Sequence, residues 1–231
     1  MMLRTSGISV AAGRVGALPM FRQFVAGALT VLLFWSGNSL AQTAEGDTVK
    51  VGDRWSYNVK DDATGDLRQA ITVVVTDIND KEITTRVTVR GKDRPNTVIY
   101  ALDWGRIDDG RWRNRPAGIG IRTPLQVGKE WRSDTNGQSL ESSVVMRSTG
   151  VAKVAAQESV TTPAGTFDTF RVEANIRQIN ATDQTKSSSV LETSWYVPAV
   201  NRWVKRKTEI KFEGRLREAR TEELTDYSRK P

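Results

Sequence analysis

The sequence has 231 residues, of which 38% are hydrophobic and 26% charged, and it carries a formal net charge of +7. This balance is typical of a globular protein. The chain contains neither histidine nor cysteine, which excludes disulfides, thiol chemistry, serine–histidine triads and histidine-based zinc sites. We predict no cofactor and no metal site, and a modest positive charge does not by itself indicate nucleic acid.

The first 41 residues differ from the rest of the chain. They contain three arginines and no acidic residue, an apolar run over Phe24–Trp35, and small residues at Ser39 and Ala41. A basic start, a short apolar core and a small-x-small exit are typical of a secretory signal peptide. The pattern predicts cleavage between Ala41 and Gln42, and a periplasmic or secreted product.

The remaining chain is large enough for one domain. Cleavage leaves 231 − 41 = 190 residues with a net charge of +7 − 3 = +4, so we predict a signal peptide over 1–41 and a single domain over 42–231. The apolar run is short for a bilayer, so we expect no transmembrane span in the mature chain. Met20 begins a more compact version of the same signal, which leaves the true start open.

Period-two alternation dominates the mature chain and predicts β-strands. Arg68–Ile78 is apolar on both faces, so we expect both of its faces to be covered. No amphipathic helix is evident after the signal peptide. The segments expected to form strands before the irregular region at 105–120 are Asp47–Lys60, Arg68–Ile78, Glu82–Arg90 and the stretch from Val98 to Trp104.

Residues 105–120 form the least regular and most basic segment, predicted as an extended loop or a weak hairpin around Asp109-Gly110. The simple interpretation of such a segment is a solvated surface; the functional one is recognition of an anionic envelope component by arginine. Lys205-Arg206-Lys207 is a second basic run, also expected to be solvated. The predicted basic loop, in which Trp112 is expected to lie away from the core, comprises Arg106, Arg111, Trp112, Arg113 and Arg115.

Two short sequences echo each other. VGDRW at Val51–Trp55 and VGKEW at Val127–Trp131 both precede strand-like segments. The echo suggests a meander that is built twice, although five residues are little evidence for a repeat.

The segment Val151–Ile176 predicts two strands joined by a turn at Thr162–Gly165. Pro163 suits the first central position of a type I turn, and Gly165 suits a left-handed residue that follows it. A three-residue loop with a bulge would pair Thr162 with Thr166. In that register Ala152, Val154 and Ala156 lie opposite Ile176, Ala174 and Val172.

The order of four segments resembles a known family. VGDRW, PLQVGKEW, VTTPAGTFDTFRVE and TSWYVPAVNRWVKR together resemble a family of bacterial exported proteins of unknown function, related to TapB-like proteins. The resemblance covers roughly Val51 to Tyr227. It implies a curved half-barrel like that of the lipoprotein carriers LolA and LolB, and it carries no catalytic residue across.

We therefore predict an all-β antiparallel sheet that forms a half-barrel or open barrel of about ten strands. Tryptophans in such a sheet either fill the core or line an apolar cleft. The function predicted is non-enzymatic binding of a lipid or other apolar or amphipathic envelope component. The alternative is a scaffold that acts through a sheet edge or the basic loop. The third hypothesis is a hydrolase with paired carboxylates, for which the sequence identifies no partner of Glu158. The residues predicted to line the cleft are Trp55, Tyr100, Trp104 and Trp195.

Export predicts a definite mature terminus. The intact mass of the protein from the periplasmic fraction of its native host should correspond to a chain that begins at Gln42, whether translation starts at Met1 or Met20. A full-length product confined to the cytoplasm would contradict the interpretation of residues 1–41.

Overall fold

A computed structural model describes residues 48–231, so the predicted cleavage site at Ala41 and Gln42 lies outside the described residues. The described chain contains twelve β-strands and no helix. The described residues therefore include no helix that is long and apolar enough to cross a membrane. The strands are β1 (Arg54–Asp61), β2 (Leu67–Ile78), β3 (Glu82–Val89), β4 (Asn96–Ala101), β5 (Arg106–Asp108), β6 (Trp112–Arg115), β7 (Glu130–Ser139), β8 (Val145–Thr162), β9 (Gly165–Asn180), β10 (Ser187–Val197), β11 (Arg202–Phe212) and β12 (Arg215–Ser228).

The strands form one closed antiparallel barrel. Each strand pairs with its neighbours in sequence, and β1 pairs with β12 to complete the circle. The predicted all-β antiparallel fold is confirmed, and its curvature goes further than a half-barrel because the sheet closes. The predicted number of about ten strands rises to twelve because the irregular region at 105–120 forms the short strands β5 and β6.

Alternation along the strands separates the barrel interior from its outer surface. In β1, Trp55 and Tyr57 are buried while Ser56 between them is half-buried. In β2, Val73 and Val75 face the interior, but Val74 on the opposite face remains half-buried. The expectation that both faces of β2 are covered is therefore wrong, because the outer face of a closed barrel borders solvent.

The two echoed sequences occupy equivalent positions in the barrel. They precede β1 and β7, which are six strands apart in a ring of twelve. Gly52 and Gly128 have φ of 91° and 90°, a region that favours glycine. Their N–H groups donate to Val75 O at 2.9 Å and Val154 O at 2.8 Å, the corresponding residues of β2 and β8. The two glycines therefore make equivalent backbone hydrogen bonds, one to β2 and one to β8.

The central hairpin forms around the predicted turn but with a different register. Thr162 pairs with Gly165, and not with Thr166, so the loop has two central residues instead of three. A register shift between Val154 and Ala156 then changes the pairing again, and Ala152 lies opposite Ala174. Together the two changes shift the register by two residues. Ala152 and Val154 therefore still face the barrel interior.

The β10–β11 turn fills one end of the barrel. Trp55 Nε1 donates to Val200 O at 3.1 Å. Trp104 Nε1 and the Tyr196 hydroxyl both contact Asn201 Oδ1 at 3.0 Å. This turn and the aromatic rings bonded to it form the aromatic plug, which also includes Arg202 and Trp203 at the start of β11.

The turn at Gly165 provides a test of the backbone geometry. Its φ is 131°, so Gly165→Val should lower the free energy of unfolding by about 1–3 kcal/mol because a β-branched residue is strained there. The nearest atoms to an added Cβ lie 3.9 Å away in Phe167, so the cost comes from the backbone and not from a clash. Ala164→Ser, one position earlier, is the control. Equal denaturation midpoints for the two variants would refute this account.

Candidate functional site: the barrel cavity

A cavity of about 360 Å³ occupies the barrel interior beyond the aromatic plug. Its floor consists of plug residues, and its walls come from strands β4 to β12 and the β6–β7 loop. We call this space the barrel cavity. Its lining includes aromatic, charged and aliphatic side chains, among them Tyr100, Trp104, Trp112, Trp203, Arg106, Arg206, Arg220, Glu192, Thr208, Ile119, Ile176, Val190 and Ile210.

One band of the cavity wall is apolar. Ile210 pairs with Val190, and Val190 pairs with Ile176 on the next strand, so the three side chains lie in a row across β11, β10 and β9. The row continues to Gly150 on β8. A Cβ at Gly150 would lie 3.1 Å from Ile176 Cγ1 and 3.4 Å from Ile119 Cδ1. Glycine at this position therefore lets the β6–β7 loop pack against the row.

A polar band lies next to the apolar one, closer to the plug. Thr208 precedes Ile210 by two residues on the same face of β11, and it pairs with Glu192 on one side and Arg220 on the other. Arg206 precedes Thr208 by a further two residues and lines the same cavity. The wall thus changes from charged to apolar along a single strand, which suits an amphipathic occupant.

Arg206 and Glu222 form a buried ion pair at the polar band. Arg206 Nη2 donates to Glu222 Oε1 at 2.9 Å and to Oε2 at 2.8 Å, and the side chains are 11% and 7% exposed. Burial opposes both charges, but Arg206 holds the pKa of Glu222 below its ordinary value. Glu222 and Glu192 in turn raise the pKa of Arg206. Both groups are therefore charged at neutral pH.

Further carboxylates lie within reach of these guanidinium groups. Arg206 Nη1 is 3.9 Å from Glu192 Oε2, and Arg220 Nε is 3.7 Å from Glu222 Oε1. Arg220 also pairs with Glu218. The polar band is thus a network of charges in which the loss of one member affects several others.

Three polar atoms that line or border the barrel cavity have no acceptor or donor within the protein. They are Arg106 Nε, Arg206 Nε and Thr208 Oγ1, and all three are buried. Thr208 as a whole is only 3% exposed. A buried donor without a partner is costly, so these atoms mark the part of the wall suited to a polar group.

Arg202 lies in the plug and not in the cavity. Its guanidinium carbon is 4.1 Å from the ring centroid of Trp203 and 4.3 Å from that of Trp104. Tyr57 lies nearby, and burial raises the pKa of its hydroxyl. Burial also raises the pKa of Tyr196 to about 12. The plug therefore combines one cation with neutral aromatic groups.

The predicted cleft residues separate into three environments. Tyr100 and Trp104 line the barrel cavity as expected. Trp55 is 0% exposed and belongs to the filled plug. Trp195 points away from the cavity: its Nε1 donates to Glu158 Oε1 at 2.6 Å on the outer surface. Placing Trp55 and Trp195 in the binding cleft is a prediction that the geometry contradicts.

Glu158 has the partners of a structural carboxylate. Besides accepting from Trp195, it lies 3.2 Å from Arg171 Nε. Because both partners lie on the outer surface, Glu158 does not contribute to the barrel cavity. Among residues 48–231 no group of three or more acidic side chains could hold a metal ion.

The predicted basic loop is a hairpin whose side chains alternate between the two faces. Arg106 and Trp112 line the barrel cavity, so the expectation that Trp112 lies away from the interior is wrong. Arg111, Arg113 and Arg115 are exposed, with Arg113 Nε 2.8 Å from Asp108. The five residues of the predicted basic loop therefore do not form one surface, because Arg106 and Trp112 face the interior whereas the other three face outward.

The buried charges of the polar band are not among the candidate site residues that the sequence pattern predicts. Lys205-Arg206-Lys207 was expected to be solvated as a unit, yet Arg206 points inward while its neighbours point outward. The signal was present in the sequence, because Arg206 is in phase with the inward residues Thr208 and Ile210. Glu192 and Glu222 are likewise in phase with buried neighbours on β10 and β12.

Comparison with known proteins gives the fold but no family. No protein-family profile and no curated protein sequence matches the chain. A candidate lipoprotein from Parabacteroides distasonis ATCC 8503 is similar in structure, with a TM-score of 0.53 and 13% identity over 80% of this chain and 100% of that one. A candidate exported protein with a YmcC-like fold from Bacteroides fragilis NCTC 9343 gives a TM-score of 0.53 and 11% identity over the same shares. These likenesses support the fold, while the resemblance to TapB-like and LolA-like proteins is not confirmed.

The buried ion pair predicts a pH-dependent cost of substitution. At pH 7, Glu222→Gln should lower the free energy of unfolding by about 3 kcal/mol, because Arg206 loses its charged partner inside the barrel. The folded-state pKa of Glu222 lies below the ordinary value of 4.5, so its contribution is full above that value and is lost as the pH falls through the folded pKa. Urea denaturation from pH 7 to pH 3 should show the two proteins converging.

Glu209→Gln is the matched control for this measurement. Glu209 is on the neighbouring strand, on the outer surface, 3.7 Å from Lys207. Such an exposed pair contributes about 0–1 kcal/mol. A difference between wild type and Glu222→Gln that stays constant down to pH 3 would show that the Glu222 charge does not stabilise the fold.

Proposed function

We propose that this protein is exported and acts as a non-enzymatic binding protein that holds an amphipathic envelope molecule inside its barrel. The N-terminal sequence pattern supports export. The two similar structures, described as a candidate lipoprotein and a candidate exported protein, are compatible with a location in the cell envelope. In this proposal the mature protein acts outside the cytoplasm.

The observation that carries the binding function is the barrel cavity itself. At about 360 Å³ it falls within the roughly 300–1,000 Å³ usual for small-molecule sites. Apolar surface facing water costs about 25 cal/mol per Å², so an apolar row such as Ile210, Val190 and Ile176 favours a ligand with an apolar part. The adjoining charged band supplies the polar contacts that fix its orientation.

The alternatives have less support from the geometry. A scaffold that recruits partners through a sheet edge needs an unpaired strand, whereas each of the twelve described strands pairs on both sides. A hydrolase with paired carboxylates needs one of them protonated, with a raised pKa. In the polar band Arg206 shifts the pKa of Glu222 in the opposite direction.

Filling the cavity should abolish binding. Ala174 lines the barrel cavity and is 5% exposed, so Ala174→Phe places a ring in the space that the ligand needs. The mature wild-type protein, stripped of lipid, should bind the neutral dye N-phenyl-1-naphthylamine saturably with enhanced fluorescence. The variant should bind it about tenfold more weakly or not at all, a loss of at least about 1.4 kcal/mol.

Asn175→Phe is the control, because the adjacent side chain on β9 is exposed on the outer surface. It adds the same ring without occupying the cavity and should leave dye affinity unchanged. Circular dichroism and thermal melting establish that both variants fold. Undiminished dye binding by a folded Ala174→Phe protein, or no binding by wild type, refutes the proposed function.

A further inference from the structure

We infer that the ligand carries an anionic head group, a carboxylate or a phosphate, which binds deep in the barrel at Arg206, Thr208 and Arg220. This inference rests on the proposed function and specifies the chemistry of the ligand. The apolar chain of the ligand would lie along the row formed by Ile210, Val190 and Ile176.

Several buried donors in the cavity wall lack a hydrogen-bond partner within the protein. Arg206 uses Nη2 for Glu222, while its Nε is buried and has no acceptor within the protein. Thr208 Oγ1, two residues along the same face, is also without a partner. Arg106 Nε adds a third such donor from β5. Oxygen atoms of a carboxylate or phosphate accept from guanidinium and hydroxyl groups together, and charge-assisted hydrogen bonds are the stronger kind.

Most of the charged side chains that line the barrel cavity are positive. Arg106, Arg206 and Arg220 line the barrel cavity, against a single lining carboxylate, Glu192. The other acidic partners of these arginines are not among the lining residues. These are Glu222 for Arg206, Glu218 for Arg220 and Asp109 for Arg106. The wall therefore presents three guanidinium groups and one carboxylate to the cavity.

The order of residues along β11 sets the direction in which a bound ligand extends. Arg206 and Ile210 are four residues apart on β11, or about 13 Å at the rise of an extended strand. Arg206 is the nearer of the two to the plug, since β11 begins at Arg202 within it. A ligand whose head contacts Arg206 therefore extends its chain away from the plug. The aromatic floor closes the opposite direction.

The test compares single-chain amphiphiles that differ only in their head group. Dodecanoate, dodecyl phosphate, 1-dodecanol and dodecyltrimethylammonium are titrated into the lipid-free mature protein at pH 7.5. Binding is followed by displacement of N-phenyl-1-naphthylamine and by isothermal titration calorimetry. At least one anion should bind about tenfold or more tightly than the alcohol, and the cation more weakly than the alcohol. The ranking of dodecanoate and dodecyl phosphate identifies which anion the site prefers.

Thr208→Val tests the position of the head group. Valine keeps the shape and removes the hydroxyl, so the variant should lose about tenfold in affinity for the preferred anion and nothing for 1-dodecanol. Thr193→Val is the matched control, because Thr193 lies on β10 outside the cavity lining. Arg220→Gln should reduce the preference for anion over alcohol in the same direction.

The outcomes separate this inference from the function on which it rests. Equal affinity for all four head groups, or an unchanged anion affinity in Thr208→Val, overturns the anionic-head inference while the binding function stands. If wild type binds none of the amphiphiles and no dye, the proposed function itself is refuted. Tightest binding of dodecyltrimethylammonium also overturns the inference and makes Glu192 the dominant charge.

Discussion

The width of the barrel is the constraint on which the rest of the structure depends. Side chains alone just fill a closed barrel of about eight strands, whereas this barrel has twelve. Part of the interior must therefore be filled by other means or stay open. The β10–β11 turn and its aromatic partners fill one end, and the remaining length contains the barrel cavity. The position of the candidate site is thus a consequence of strand number.

Charge inside the barrel follows from the same constraint. Arg202 is 1% exposed, and four aromatic rings surround its guanidinium group. Cation–π attraction strengthens when the groups are removed from water, which offsets part of the cost of burying this charge. For Arg206 and Glu222, a direct ion pair offsets the free-energy cost of burying their charges. The interior therefore has two kinds of buried cation, of which only Arg206 borders the cavity.

Much of this fold could be predicted because strand alternation is local. The phase of Trp55 and Tyr57 on β1 identifies the inward face without any knowledge of neighbouring strands. The same rule assigns Arg206 to the interior, although the basic composition of Lys205-Arg206-Lys207 indicates a solvent-exposed segment. Closure and register could not be predicted, because the shift between Val154 and Ala156 and the meeting of β1 with β12 depend on residues distant in sequence. The polar band was missed for that reason: its members come from three different strands.

The weakest part of the barrel wall lies beside the cavity. β5 has three residues and β6 four, and a single residue pair, Asp108 with Arg113, joins them. Local opening breaks the fewest ladder hydrogen bonds there among the described strands, and regions with few such bonds exchange their amide hydrogens earliest. Arg106 and Trp112, which line the cavity, belong to this hairpin. The barrel therefore joins a floor filled by aromatic side chains to one side wall that is held by few strand hydrogen bonds.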